Sequence, residues 1–223
     1  MSLAIIAGAG SGLGHALLRR FAHGGYAATG FARTPCEGGE LDVRAVDLAN
    51  PAEVSEAVSA LIECHGPPKI VVHNPAQLFI APLMGTTALE FEDCWRSMVL
   101  SAFILAQAVM KPMIEAGGGT FIASGATASL RGGARFGAFA SAKFALRGFV
   151  QSLAREYQPQ GVHIAHIILD GIIDGERSRA LHGLPPERMM NADELAEVYW
   201  QIAHQPQSTW THEIDLRPQS EGF

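Results

Sequence analysis

The stretch Leu3-Ala4-Ile5-Ile6-Ala7-Gly8-Ala9-Gly10-Ser11-Gly12-Leu13-Gly14-His15-Ala16-Leu17-Leu18 decides the fold. It passes from an apolar run through alternating glycines into a helical pattern. Leu3–Ala7 has no polar side chain and reads as a strand buried on both faces. From Leu13 to Ala22 the apolar residues Leu13, Leu17, Leu18 and Phe21 recur at helical spacing. Glycines between a strand and a helix let the chain turn sharply, let backbone amides approach a diphosphate, and let the helix pack close. The helix N-terminus adds free N–H groups and positive dipole character. No Gly-Lys-Ser/Thr follows, which excludes a P-loop. A methyltransferase loop is the competing reading of the same glycines.

Outward from this loop, apolar runs alternate with helical patterns. Tyr26–Ala32, Leu41–Val46, Lys69–Asn74, Thr120–Ser124, His163–Leu169 and Glu213–Leu216 read as strands, with Leu41–Val46 the least apolar. Asn50-Pro51-Ala52-Glu53 supplies an N-cap, a proline at the first helical position and an acid at the third. Asn191-Ala192-Asp193-Glu194 opens a helix through Leu195–His204 in a similar way. Longer helices are predicted near Glu90–Ala116 and Arg135–Tyr157. The alternation predicts α/β architecture: one doubly wound parallel sheet with helices on both faces, in a single domain spanning residues 1–223. Gly175–Met190, with Gly183, Pro185 and Pro186, reads as a mobile loop.

Composition narrows the partners. The 223 residues carry 16 basic and 22 acidic side chains, a formal charge of −6. That balance argues against nucleic acid or an anionic membrane as the main partner. The three cysteines, Cys36, Cys64 and Cys94, are scattered and never in C-x-x-C spacing. Neither a disulfide framework nor a metal site is expected, and a cytoplasmic location fits. Met1–Ala7 has no basic n-region, so no signal peptide is expected, and no apolar run approaches the ~20 residues of a membrane span.

The second strand ends in Ala32-Arg33. A dinucleotide fold selective for NAD places an acid there, to bind the ribose diol. An acid would repel a 2′-phosphate, whereas a guanidinium pairs with one at two points. Arg33 therefore favours NADP(H) over NAD(H).

Read together, these features resemble the short-chain dehydrogenase/reductase family over nearly the whole chain. Gly8, Gly12 and Gly14 match the glycines of the family's T-G-x-x-x-G-x-G, with Ala7 in place of the threonine. Asp47-Leu48 is similar to the pair beside the adenine. His73-Asn74-Pro75-Ala76 stands where the family has N-N-A-G, and Phe139-Ala140-Ser141-Ala142-Lys143 where it has Y-x-x-x-K. The resemblance implies a dinucleotide held by Gly8, Ser11, Gly12, Leu13, Gly14, Arg33, Asp47, Leu48, Asn74, Lys143 and Gly171. It also implies a Rossmann fold and a homodimer or homotetramer built on the two long helices.

The same resemblance exposes three departures. The family's tyrosine gives or takes the proton as hydride moves between the nicotinamide and a carbonyl carbon. Its lysine, four residues on, lies on the same helix face. Here Lys143 is present, but the tyrosine position is Phe139, the serine position is Ala126, and the family's relay asparagine falls near Met98. A lost general acid costs about 10²–10⁴-fold in rate, and a lost oxyanion donor about 10²–10³-fold.

Candidate replacements are few. Thr127 adjoins Ala126, and Ser124 lies two residues before it. Ser141 stands two residues past Phe139, roughly 200° around the helix. Asp170-Gly171 stands where the family has Pro-Gly. A carboxylate in an apolar crevice there would act as acid or base, so the catalytic candidates are Lys143 and Asp170. The competing reading makes Asp170 a brace for the next loop. His73, before Asn74, has two readings: a side chain facing the site, or a strand-end histidine bonded to backbone, the second preferred. His163 and His166, three apart in a strand, point to opposite faces and share no metal. Three functions remain open: an NADPH-dependent oxidoreductase with altered proton delivery, a silent NADP-binding sensor or partner subunit, and a scaffold without cofactor. The substrate is a small carbonyl or alcohol of unspecified identity.

Overall fold

A computed structural model describes residues 1–35 and 41–221. Seven strands form one sheet: β1 Leu3–Ala7, β2 Ala27–Ala32, β3 Asp42–Ala45, β4 Pro68–His73, β5 Gly119–Ser124, β6 Val162–Leu169 and β7 Glu213–Leu216. Their order is β3-β2-β1-β4-β5-β6-β7, and every pair is parallel. The order reverses between β1 and β4, so the crevice outside their carboxyl ends is the switch point of a doubly wound sheet. The continuous apolar runs of β1 and β6 are buried at every position, as strands covered on both faces require.

Two cores lie on the two faces. One, with Ile5, Val71, Phe121 and Ile164, packs under α2 (Pro51–His65), α4 (Ser101–Glu115) and α5 (Gly137–Tyr157). The other, with Ile6, Val72, Ile122 and Ile167, packs under α1 (Leu13–His23) and α7 (Ala192–Ala203). The expected caps are present: Asn50 accepts from Ala52 and Glu53, and Asn191 from Asp193 and Glu194.

Two expectations need correction. Gly175–Met190 is not a bare loop: it holds α6 (Glu176–His182) and a 3₁₀ turn at Pro186–Arg188, and Ile173 bridges Met190. Glu176 in the first turn, His182 in the last and Gly183 in a left-handed C-cap conformation suit the ends of a short helix. The long helix at Glu90–Ala116 runs from Ala88 to Glu115, as α3 (Ala88–Trp95), a π turn at Arg96–Leu100, and α4. At 28 residues it is long and apolar enough to match a membrane span by composition, against the expectation of none. In this fold it lies against the sheet, with Ile104, Leu105, Val109 and Met113 buried.

Candidate active site

A cavity of about 1390 Å³ opens over the carboxyl ends of the central strands. It runs from the glycine loop past Arg33 and Asp47 to Asn74, Ser124, Phe139, Lys143 and Gly171, all of which line it. The glycines shape its floor. Gly8 has φ +84°, and a Cβ on it would lie 2.8 Å from the Pro75 nitrogen. A Cβ on Gly14 would lie 2.1 Å from the Gly8 carbonyl oxygen, so only hydrogen fits between helix and strand. The N-cap of α1 is Gly12, and no side chain caps the first N–H groups. Those amides are the orphan donors of a helix N-terminus, placed at the cavity wall beside Ser11 and Leu13.

Around this cradle lie the flanking residues the sequence singled out. Arg33 is exposed at the end of β2. Asp47 folds back on its own turn, accepting from the Ala49 amide at 3.0 Å, with buried Leu48 beside it. Gly171 is pressed against the chain's last segment, where a Cβ would meet Pro218 Cδ at 2.6 Å.

At the inner end, Asn74 and Ser124 are held in a chain of hydrogen bonds. Ser124 Oγ donates to Asn74 Oδ1 at 2.8 Å, and Asn74 Nδ2 donates to the Gly8 carbonyl at 3.3 Å. The Tyr199 hydroxyl lies 2.7 Å from Ser124 Oγ. Ser124 has one proton, so with that proton on Asn74 the Tyr199 hydroxyl is the donor. Burial raises the Tyr199 phenol, which keeps it a neutral donor. Tyr199 comes from α7, on the opposite sheet face, and sequence reasoning missed it. A tyrosine at an apolar helix position carries no signal for a partner 75 residues away.

Lys143 is 1% exposed, and its Nζ donates to the Ser124 carbonyl at 2.8 Å. Burial pulls its ammonium down to about 8. The Phe139 ring, one helical turn earlier, has its centroid 5.9 Å from Nζ. Of the three departures, Phe139 and Ala126 line the cavity. Met98 is fully buried in the core, and Arg96, Ser97 and Ser101 are the cavity-side residues of the π turn and its exit. Ser101 Oγ donates to the Ser97 carbonyl at 2.6 Å and sits 2.8 Å from His73 Nε2. His73 Nε2 is thus bonded to a hydroxyl. Burial first, then the charge of Lys143, pushes its imidazole down to about 3.

Asp170 is placed differently from the apolar crevice envisaged for a catalytic acid. Its side chain is 1% exposed and does not line the cavity. Oδ1 accepts from Thr127 at 2.5 Å and faces Arg131 at 3.5 Å, while Oδ2 lies 3.1 Å from Arg217. A carboxylate between two guanidiniums braces the turns after β5, β6 and β7. Thr127 lines the cavity and spends its proton on that carboxylate, so it offers lone pairs to whatever lies there. Ser141 points outward and bonds the Ala138 carbonyl. His163 and His166 turn to opposite faces: His163 bonds the Thr211 carbonyl and His166 bonds Glu213.

The sequence profile of short chain dehydrogenases matches residues 2–181. The chain belongs to the short-chain dehydrogenase family. It is 26% identical over 215 residues to the 3-oxoacyl-acyl-carrier-protein reductase FabG of Escherichia coli, covering 88% of this chain and 87% of the relative. A short-chain dehydrogenase from Rhodopseudomonas palustris superposes with a TM-score of 0.80 at 31% identity, over 97% of this chain and 98% of the other. An NADPH-bound short chain oxidoreductase from Pseudomonas aeruginosa, described as containing an atypical catalytic center, superposes with a TM-score of 0.86 at 18% identity, over 99% and 96%. Its family and its fold are therefore those of the short-chain dehydrogenases.

Proposed function

We propose that this short-chain dehydrogenase uses NADP(H) to move hydride to or from a small carbonyl or alcohol, with a proton donor other than the family's tyrosine. The observation that carries the reading is the continuity of the cavity from the uncapped N-terminus of α1 to Lys143. The cradle fits a dinucleotide: a Cβ would fill it at Gly8 and Gly14, and the orphan amides of α1 suit a diphosphate. Gly8, Ser11, Gly12, Leu13 and Gly14 would hold the diphosphate, Arg33 a 2′-phosphate, and Asp47 with Leu48 the adenine. Asn74, Lys143 and Gly171 would hold the nicotinamide half. Bound there, the cofactor supplies a hydride donor or acceptor. The protein's own part is to fix Asn74 through Ser124, exclude water with Phe136, Phe139 and Ile172, and place Lys143 at the inner wall.

Calorimetric titration with NADPH and then NADH tests the cofactor assignment. NADPH should bind at least about tenfold more tightly than NADH, and Arg33→Ala should remove most of that difference, since a bidentate guanidinium–phosphate pair discriminates by about this much. Equal binding of both would overturn the preference. The missing hydroxyls of Phe139 and Ala126 favour one second reading, a silent NADP-binding sensor or partner subunit. It predicts tight NADPH binding and no turnover on a carbonyl and alcohol panel.

The outer face of α4 and α5 carries a groove of about 550 Å³ lined by Phe103, Met110, Phe149 and Tyr157. We propose that a second copy covers it, giving a homodimer or homotetramer in the cytoplasm. Sedimentation of wild type against Phe149→Glu tests this, with a shift to monomer expected.

A further inference from the structure

We infer that Lys143 is itself the proton donor to the substrate oxygen, acting through an Nζ–H bond not committed to Ser124. The inference rests on the oxidoreductase reading of the cavity and asks which group closes the reaction. Asp170 is off the cavity and held by Thr127 and Arg217. Phe139 and Ala126 have no proton to give. Lys143 lines the cavity, and among the described residues its ammonium has one hydrogen-bond acceptor, the Ser124 carbonyl. An ammonium has three N–H donors; with one on Ser124 and one on the nicotinamide half as proposed above, one remains for the substrate oxygen.

The surroundings make this ammonium an unusually good acid. No carboxylate is paired with it among the described ion pairs. The titratable groups that feel its charge are His73 on β4 and His166 on β6, which flank Ala123 of β5 in one register row. His166 is bonded to Glu213 of β7, and Arg147 of α5 holds that carboxylate at 2.6 Å and 2.8 Å. That carboxylate is therefore committed elsewhere, and burial alone brings Lys143 to about 8. A buried lysine with a lowered pKa is suited to proton transfer near neutral pH.

In carbonyl reduction a C–H bond of NADPH would break and its hydrogen would pass with both electrons to the carbonyl carbon, leaving NADP⁺. The C=O π bond opens, an O–H bond forms on the oxygen, and an Nζ–H bond of Lys143 breaks to leave a neutral amine. Solvent reprotonates the amine through the open cavity.

The chain has only three lysines, Lys69, Lys111 and Lys143, so ¹³Cε-lysine labelling gives three signals. Titrated without cofactor, the signal lost in Lys143→Met should have its midpoint near 8; titrated again with NADPH bound, it gives the midpoint of the loaded enzyme. Reduction of 9,10-phenanthrenequinone by NADPH should be flat below that midpoint and fall tenfold per pH unit above it. Lys143→Ala should be slowed about 10²–10⁴-fold at saturating NADPH and regain rate in proportion to added methylammonium. A rate independent of pH through the NMR midpoint, or a Lys143→Ala enzyme that amines do not restore, overturns Lys143 as donor while leaving the oxidoreductase reading intact. Tight NADPH binding with no quinone reduction by wild type overturns the donor assignment and leaves the silent reading. No NADPH binding overturns both.

Discussion

A phenyl ring at position 139 packs as a phenol would but brings no proton. It is 8% exposed and faces the cavity, so Phe139→Tyr adds one hydroxyl where the substrate oxygen is expected. With Lys143 one turn away to stabilise a phenolate, we expect quinone reduction to rise at least about tenfold, measured as kcat at saturating NADPH. No rise would mean that the ring does not point at the reacting atoms. The glycine floor gives a second test. Gly14→Ala places a Cβ 2.1 Å from the Gly8 carbonyl, a backbone atom that cannot swing away. It should cost about 1–3 kcal/mol in urea unfolding and weaken NADPH binding, because helix and loop must part. At this scale the sequence was legible where one residue type alone satisfies a constraint, as at Gly8, Gly14 and Lys143. For Asp170 it left two readings, acid and brace, without the partners that decide between them. Its cationic partner Arg217 lies on the far side of α6 and α7 in the chain, and only the fold brings the two together at 3.1 Å.

Between elements, the joint of α5, β6 and β7 is held by one acid. Glu213 of β7 accepts from Arg147 at both oxygens and from His166 at one. Burial pushes its carboxyl up, but the bonds from Arg147 and His166 outweigh burial and hold it below its ordinary value. A carboxyl lowered by folding stabilises above its ordinary range, near 4.5, and that contribution is lost as pH falls through the folded value. Glu213→Gln should therefore destabilise by about 1–3 kcal/mol at pH 7, and the gap from wild type should close toward pH 3. A gap constant with pH would show that packing, not charge, holds the joint. Strand positions were readable because burial on both faces leaves a continuous apolar run. Arg96–Leu100 gave no such signal, since a π turn is a shift of hydrogen-bond register that apolar spacing does not encode. The helix at Glu176–His182 was hidden by Gly175, Gly183 and Pro185, which mark its ends but read as loop.

Across the whole molecule, the sheet buries three histidines, and each resists protonation. His73, His163 and His166 are at most 1% exposed, and burial pulls all three below the ordinary imidazole value, His73 to about 3. A histidine lowered by folding binds fewer protons folded than unfolded between its two values. Stability then rises with pH through that window and is lost as pH falls from about 6.5 toward 3. His73 alone should contribute about 1.4 kcal/mol per pH unit there. Lys143 carries the same sign higher up, between about 8 and 10.5, because its folded value is also lowered. The expected curve of urea midpoint against pH climbs steeply from 4 to 6.5, flattens near neutrality, and climbs again above 8. His73→Asn should lessen the lower climb by about one proton's worth, and Lys143→Met should abolish the upper one. A lower limb unchanged in His73→Asn would place His73 in contact with water in the folded protein. That outcome would open the base of the active site, where Ser101 and Lys143 meet the cavity, to solvent from below.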